Sequence, residues 1–182
     1  MTLELEESVE EIRHHAYNHN THLGVCDIMV KIGDKAPDFE LPSTKGGDYR
    51  LKDKIKGKGL LLAFYPFDWS PVCTNELGFL NANSDEFKKA KVGLAAISVD
   101  SVFSHEAWTK HEKFSFPLLS DFNKEVSKEY GALHEELGGM KGFCKRSLFL
   151  LDSTGNIQYT WISEDPGQEP DYDELLEAVK KL

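Results

Sequence analysis

The chain has 182 residues, 40% of them hydrophobic, which suits one domain with an ordinary core. Its 31 acidic side chains against 21 basic ones give a net charge of −10, so nucleic-acid phosphates and anionic membranes would repel it. Three cysteines without a C-x-x-C pair fit neither a secreted disulfide framework nor a structural zinc site, and no run approaches the ~20 apolar residues that span a bilayer, so a cytoplasmic protein is expected.

Residues 1–28 read as an N-terminal extension with helical character. Leu5, Val9, Ile12 and Ala16 share one stripe, and glutamates surround it. His14, His15, His19 and His22 follow. Imidazole suits a divalent metal, but no carboxylate or cysteine completes a ligand set, so these residues read as the solvated end of a helix and no metal is expected. Cys26 falls in a short stretch, Val25 to Val30, that suits either an edge strand or a plain link.

Residues 29–182 read as one domain. Phe39 to Leu41 and Tyr49 to Leu51 flank a turn-rich segment and predict a hairpin. Leu60 to Tyr65 and Val92 to Val99 are near-continuous apolar runs, the pattern of parallel strands covered on both faces. Leu77, Leu80 and Phe87 stripe the helix between them. Ser104 is the expected cap of a second helix carrying Ala107, Trp108 and His111. A short strand over Phe116 to Leu119 and a short helix over Asn123 to Tyr130 come next, and the glycines from 138 to 142 predict a flexible loop. Ser147 to Leu151 and Ile157 to Ile162 form a hairpin around Asp152 to Asn156. A last helix starts at Pro170 and stripes Tyr172, Leu175, Leu176, Val179 and Leu182. The order predicts a mixed α/β fold, a sheet flanked by helices.

One junction concentrates the chemistry. After the first buried strand, Ser70 suits a helix N-cap and Pro71 the first helical position, which puts Cys73 in the first turn. There a sulfur faces unpaired backbone N–H groups and the positive end of the helix dipole, both of which stabilise a thiolate. The same spacing also suits a small buried residue that happens to start a helix, and the residues around it have to decide.

Pro66-x-x-x-Ser70-x-x-Cys73 resembles the P-x-x-x-T/S-x-x-C signature of peroxiredoxins, thiol peroxidases on a thioredoxin-like fold. Gly33 to Phe39, Ser98-Val99-Asp100, Phe116 to Asp121, Lys145 to Phe149 and Trp161 to Pro166 add matches at family-like spacing, covering about Lys31 to Leu182. The last two are most similar to the E-type alkyl hydroperoxide reductase branch, with the bacterioferritin-comigratory branch next.

The resemblance implies a peroxidase without a bound cofactor, acting on hydrogen peroxide and organic hydroperoxides. It makes Cys73 the nucleophile, oxidised to a sulfenic acid, with Ser70 as a hydroxyl donor, Pro66 as a shield and Arg146 as the cation beside the sulfur, held by Glu76. Ser70 stands where the family more often has threonine, and lacks the methyl that stiffens χ1. Phe67 and Trp69 would line the pocket. The implied partners are a thioredoxin- or glutaredoxin-like external thiol and further copies of the chain.

Resolution of the sulfenic acid is open. The helical partner of some bacterioferritin-comigratory proteins is Gly78 here. Cys144 precedes Arg146 by two residues and would share a strand face with it, beside a loop able to move, so a two-cysteine route competes with an external thiol. A thioredoxin-like disulfide reductase would need a second cysteine close to Cys73. A non-enzymatic interaction or redox-sensing protein would work through the N-terminal segment.

Overall fold

The computed structural model describes residues 30–182. The expected N-terminal helix with its histidines, and Cys26, lie outside the described residues. Strand β1 (Glu40–Pro42) pairs antiparallel with β2 (Asp48–Arg50), forming the expected hairpin, and a short helix α1 (Leu51–Lys54) follows. All six residues of β3 (Gly59–Phe64) are buried, as the continuous apolar run requires of a strand covered on both faces. Two helices rather than one then lead to β4 (Val92–Ser98): α2 (Pro71–Ala82) and α3 (Ser84–Ala90), separated at Asn83.

Helix α4 (Val102–Glu112) is capped by Ser101, one turn earlier than expected, and the amide of Ser104 donates to the Ser101 hydroxyl at 3.3 Å. Its buried face is His105 and Trp108; Ala107 and His111 are exposed, which corrects the expected stripe. Strand β5 (Leu118–Ser120) and helix α5 (Glu125–Glu129) precede a second correction. The glycine-rich segment is not a loop. Strands β6 (Leu133–Leu137) and β7 (Met140–Cys144) pair antiparallel across Gly138 and Gly139, whose φ values of 59° and 81° suit a tight two-residue turn that side chains with a Cβ adopt poorly. Strands β8 (Ser147–Asp152) and β9 (Ile157–Ile162) form the predicted hairpin, and α6 (Tyr172–Lys181) ends the chain, capped by Asp171 rather than begun at Pro170.

The central sheet runs β5-β4-β3-β8-β9, with β3, β4 and β5 parallel and β8 and β9 antiparallel to their neighbours. Alternation along β3 builds two cores. Leu60, Leu62 and Phe64 pack with Val126, Tyr130, Cys144 and Phe149 on one face. Leu61, Ala63 and Tyr65 pack with Cys73, Leu77, Trp108, Leu175 and Val179 on the other. No described helix is long and apolar enough to cross a membrane.

The β3 to β8 pairing allows no side chain at Gly59, because a Cβ there would fall on the Leu151 carbonyl oxygen. Gly59→Ala should therefore lower stability by about 1–3 kcal/mol. Urea unfolding should show a lower midpoint at an unchanged slope, and an unshifted midpoint would mean that the strand pair relaxes freely.

Candidate active site

Local sequence sets the start of α2 as expected. Ser70, extended at φ −71° and ψ 142°, caps the helix through its hydroxyl, which accepts from the Cys73 amide at 3.3 Å, and Pro71 occupies the first helical position. The Thr74 hydroxyl donates to the Ser70 carbonyl at 2.8 Å and tightens the same turn. Cys73 has no exposed surface.

Strand pairing brings Arg146 to this turn. Phe64 at the end of β3 pairs with Ser147 at the start of β8, so the residue before Ser147 lies beside the connection from β3 to α2. The Arg146 guanidinium, 1% exposed, donates through Nη2 to the Cys73 sulfur at 3.5 Å and to the Pro166 carbonyl at 2.6 Å, and through Nε to the same carbonyl at 3.2 Å. Its Nη1 donates to Glu76 Oε2. Glu76 is fully buried, and its Oε1 has no partner. Burial pushes the Glu76 carboxyl up to about 7 against the opposing pull of Arg146. Burial also pulls Arg146 down, but the Glu76 carboxylate and the Cys73 sulfur outweigh it and hold the guanidinium above its ordinary value.

The remaining expected residues divide. Pro66 is buried in the connection. The Phe67 ring stacks on Phe143 of β7 with centroids 4.9 Å apart, a partner that sequence does not suggest because the glycines around it read as a loop. Trp69 is half exposed and packs against Trp108 and His111 of α4, centroids 6.2 and 5.4 Å away.

Cys144 sits elsewhere. It ends β7, and residues 145 and 146 interrupt the strand before β8 starts, so the alternation that would have put it on the face of Arg146 does not apply. It belongs to the core on the opposite side of the sheet from Cys73. There its sulfur lies 3.1 Å from the Ser127 hydroxyl, and burial pushes the thiol up to about 12.

The AhpC/TSA family model matches residues 32–160. A peroxiredoxin of Aquifex aeolicus is 40% identical over 136 residues, 71% of this chain and 60% of that protein. The chain belongs to the AhpC/TSA family of peroxiredoxins. A second relative of this peroxiredoxin, the chloroplastic 2-Cys peroxiredoxin of Spinacia oleracea, is 34% identical over 167 residues, 86% of the chain but 61% of the relative. The chain thus spans about three fifths of the length of these two proteins. Among solved structures it is similar to the bacterioferritin comigratory protein of Xanthomonas campestris, with a TM-score of 0.71 and 28% identity over 84% of this chain and 96% of that one. That likeness bears out the thioredoxin-like sheet and agrees with the second of the two branches suggested by sequence.

A carboxyl raised on folding binds its proton more tightly in the folded chain, so its contribution to stability is complete below the unfolded value and is lost as pH rises through the folded one. For Glu76 that interval runs from about 4.5 to about 7. The stability of the native protein relative to Glu76→Gln should therefore fall as pH rises across it, read by urea unfolding at a series of pH values. A difference independent of pH would mean that Glu76 is ionised throughout.

Proposed function

We propose that this chain is a thiol-dependent peroxidase that reduces hydrogen peroxide and organic hydroperoxides through a sulfenic acid at Cys73 and returns to the thiol by an external thiol. The observation that carries the reading is the Arg146 guanidinium 3.5 Å from the Cys73 sulfur in the first turn of a helix, in a chain of peroxiredoxin family. The Cys73 thiolate attacks one peroxide oxygen, the O–O bond breaks, and the second oxygen leaves with the bonding pair and takes up a proton as water or an alcohol. The sulfur is oxidised by two electrons and the peroxide is reduced by two. Arg146 is the permanent charge that steadies the thiolate and the departing oxyanion, Glu76 and the Pro166 carbonyl hold its fork, and the Ser70 hydroxyl, which accepts from the Cys73 amide, has its own proton to offer to the peroxide. Pro66 keeps water from the thiolate. Phe67, backed by Phe143, supplies the apolar wall that an alkyl hydroperoxide would use, and alkyl peroxide reduction is the activity ascribed to the similar Xanthomonas campestris protein.

An external thiol is favoured over Cys144 because the two cysteines lie in different cores, with the sheet between them. A disulfide needs Cα atoms within about 7 Å, which here would require the β6–β7 hairpin to leave the sheet face. A thioredoxin- or glutaredoxin-like protein is the proposed reductant, in a reducing compartment such as the cytoplasm. Residues 29–182 are the catalytic unit, residues 1–28 an extension, and the working form a dimer or larger homo-oligomer.

Cys73→Ser should abolish peroxide consumption and keep the fold. Arg146→Lys should slow the reaction about 100-fold, since a point charge does not reproduce two directed donors. Stopped-flow kinetics check both, and substantial turnover by Cys73→Ser would end the assignment. One equivalent of peroxide should leave a trappable sulfenic acid in both the native protein and Cys144→Ser. Peptide mapping that recovers a Cys73 to Cys144 cross-link as the main product would instead establish the two-cysteine route.

A further inference from the structure

A second buried polar cluster adjoins the site and contains none of the residues assigned above. It joins Tyr65 after β3, Asp68 in the connection to α2, Ser98 and Asp100 at the end of β4, and His105 on the buried face of α4. The Tyr65 hydroxyl donates to Asp68 Oδ1 at 2.8 Å. His105 Nδ1 lies 2.9 Å from Asp68 Oδ2, 3.0 Å from Oδ1 and 3.2 Å from the Tyr65 oxygen. His105 Nε2 lies 3.2 Å from the Leu119 carbonyl oxygen. The side chains of His105 and Asp68 are 0% and 1% exposed. Asp100, the other charged group in the cluster, accepts the Asp68 amide and the Ser98 hydroxyl on its Oδ2, each at 2.9 Å.

Counting protons shows what these distances require. A carbonyl oxygen has no proton to give, so Nε2 must carry one. The Tyr65 proton is directed at Asp68 Oδ1, so the contact between Nδ1 and Oδ2 needs a proton of its own. A carboxylate with a neutral imidazole falls one short, and two buried lone pairs would then face each other at 2.9 Å. With the Tyr65 hydroxyl donating to Oδ1 and Nδ1 meeting Oδ2, both carboxylate oxygens are placed as acceptors, and the additional proton belongs on the ring between Nδ1 and Oδ2.

This cluster acts on the site through the backbone. Asp68 is held at its side chain by His105 and Tyr65 and at its amide by Asp100. The next residue, Trp69, has φ 64°, a left-handed conformation that disfavours side chains by about 1–2 kcal/mol, and the residue after it is Ser70, the cap over Cys73. We propose that Asp68 and His105 form a buried aspartate–imidazolium pair, and that the pair is a positioning device for the reaction of Cys73, fixing the strained turn that delivers Ser70 and the start of α2. The effect on rate rests on the peroxidase reading; the proton count does not.

The test measures the two parts separately. In native protein labelled with nitrogen-15 in histidine, NMR at pH 7.5 should find a proton on both ring nitrogens of His105, and a bare Nδ1 would overturn the pair. Asp68→Asn restores the bonding without the additional proton: the amide donates to Nδ1, the amide oxygen accepts from Tyr65, and Nε2 keeps its proton. Its ring should lose the Nδ1 proton, and its rate of sulfenic acid formation with hydrogen peroxide should stay within about threefold of native. Asp68→Ala offers no such bonds and should fall by about tenfold or more, since displacement of a reacting group by 1 Å costs up to about 100-fold. A folded Asp68→Ala as fast as the native protein, or an Asp68→Asn tenfold or more slower than native, would overturn the positioning role. If Asp68→Ala does not fold, the native spectrum and Asp68→Asn still decide. Absence of peroxide consumption by the native protein would instead end the peroxidase reading, with the ring protons still measuring the pair.

Discussion

A guanidinium with 1% of its surface exposed has to find its partners inside the protein, and Arg146 finds them on two other segments, tying three together with its own. Its fork spans Glu76 and Cys73 on α2 and the Pro166 carbonyl after β9, while its own backbone enters β8. Removing one partner of such a group leaves a buried charge uncompensated, which costs about 3–5 kcal/mol, so the three segments are held in one arrangement more firmly than apolar packing alone would hold them. The same requirement explains a fully buried glutamate in the second turn of α2. Glu76 sits where only an apolar residue would otherwise be tolerated, and its raised carboxyl and unpaired Oε1 measure the cost of keeping it there.

Burial of β3 on both faces sets the second constraint. A strand with every residue buried divides the interior into two cores that share no side chains, and each cysteine among the described residues belongs to one of them. Cys73 starts a helix and faces a cation; Cys144 faces a hydroxyl in an apolar setting that suppresses its thiolate. Two thiols of one chain thus carry opposite chemical characters because a sheet stands between them.

Much of this is legible in the sequence, and the exceptions have definite causes. Continuous apolar runs identify β3 and β4 because burial on both faces leaves no other pattern, and Ser70-Pro71 identifies the start of α2 because cap chemistry is local. The hairpin of β6 and β7 escapes a reading that treats glycine pairs as breakers, whereas two adjacent positive φ values are what a tight turn between antiparallel strands uses. The expectation of Cys144 beside Arg146 rests on residues two apart sharing a face within one strand; the interruption at 145 and 146 removes the premise. His105 gives no signal at all. Its meaning depends on Asp68, Tyr65 and the Leu119 carbonyl, which come together only through the order of strands in the sheet.

That order also explains why the polar groups gather at one end of the molecule. Parallel strands point the same way, so the ends of β3, β4 and β5 deliver Tyr65, Ser98, Asp100 and Ser120 to a single edge. Strand β8 runs the opposite way, so it delivers its beginning, with Arg146 just before it, to that same edge. Ligand sites of α/β sheets gather at the carboxyl ends of parallel strands, where loops and helix N-termini are free of the ladder. An antiparallel strand joining such a sheet can contribute a residue there only from its amino end. The position of Arg146, immediately ahead of β8, follows from topology before any contact with Cys73 is considered.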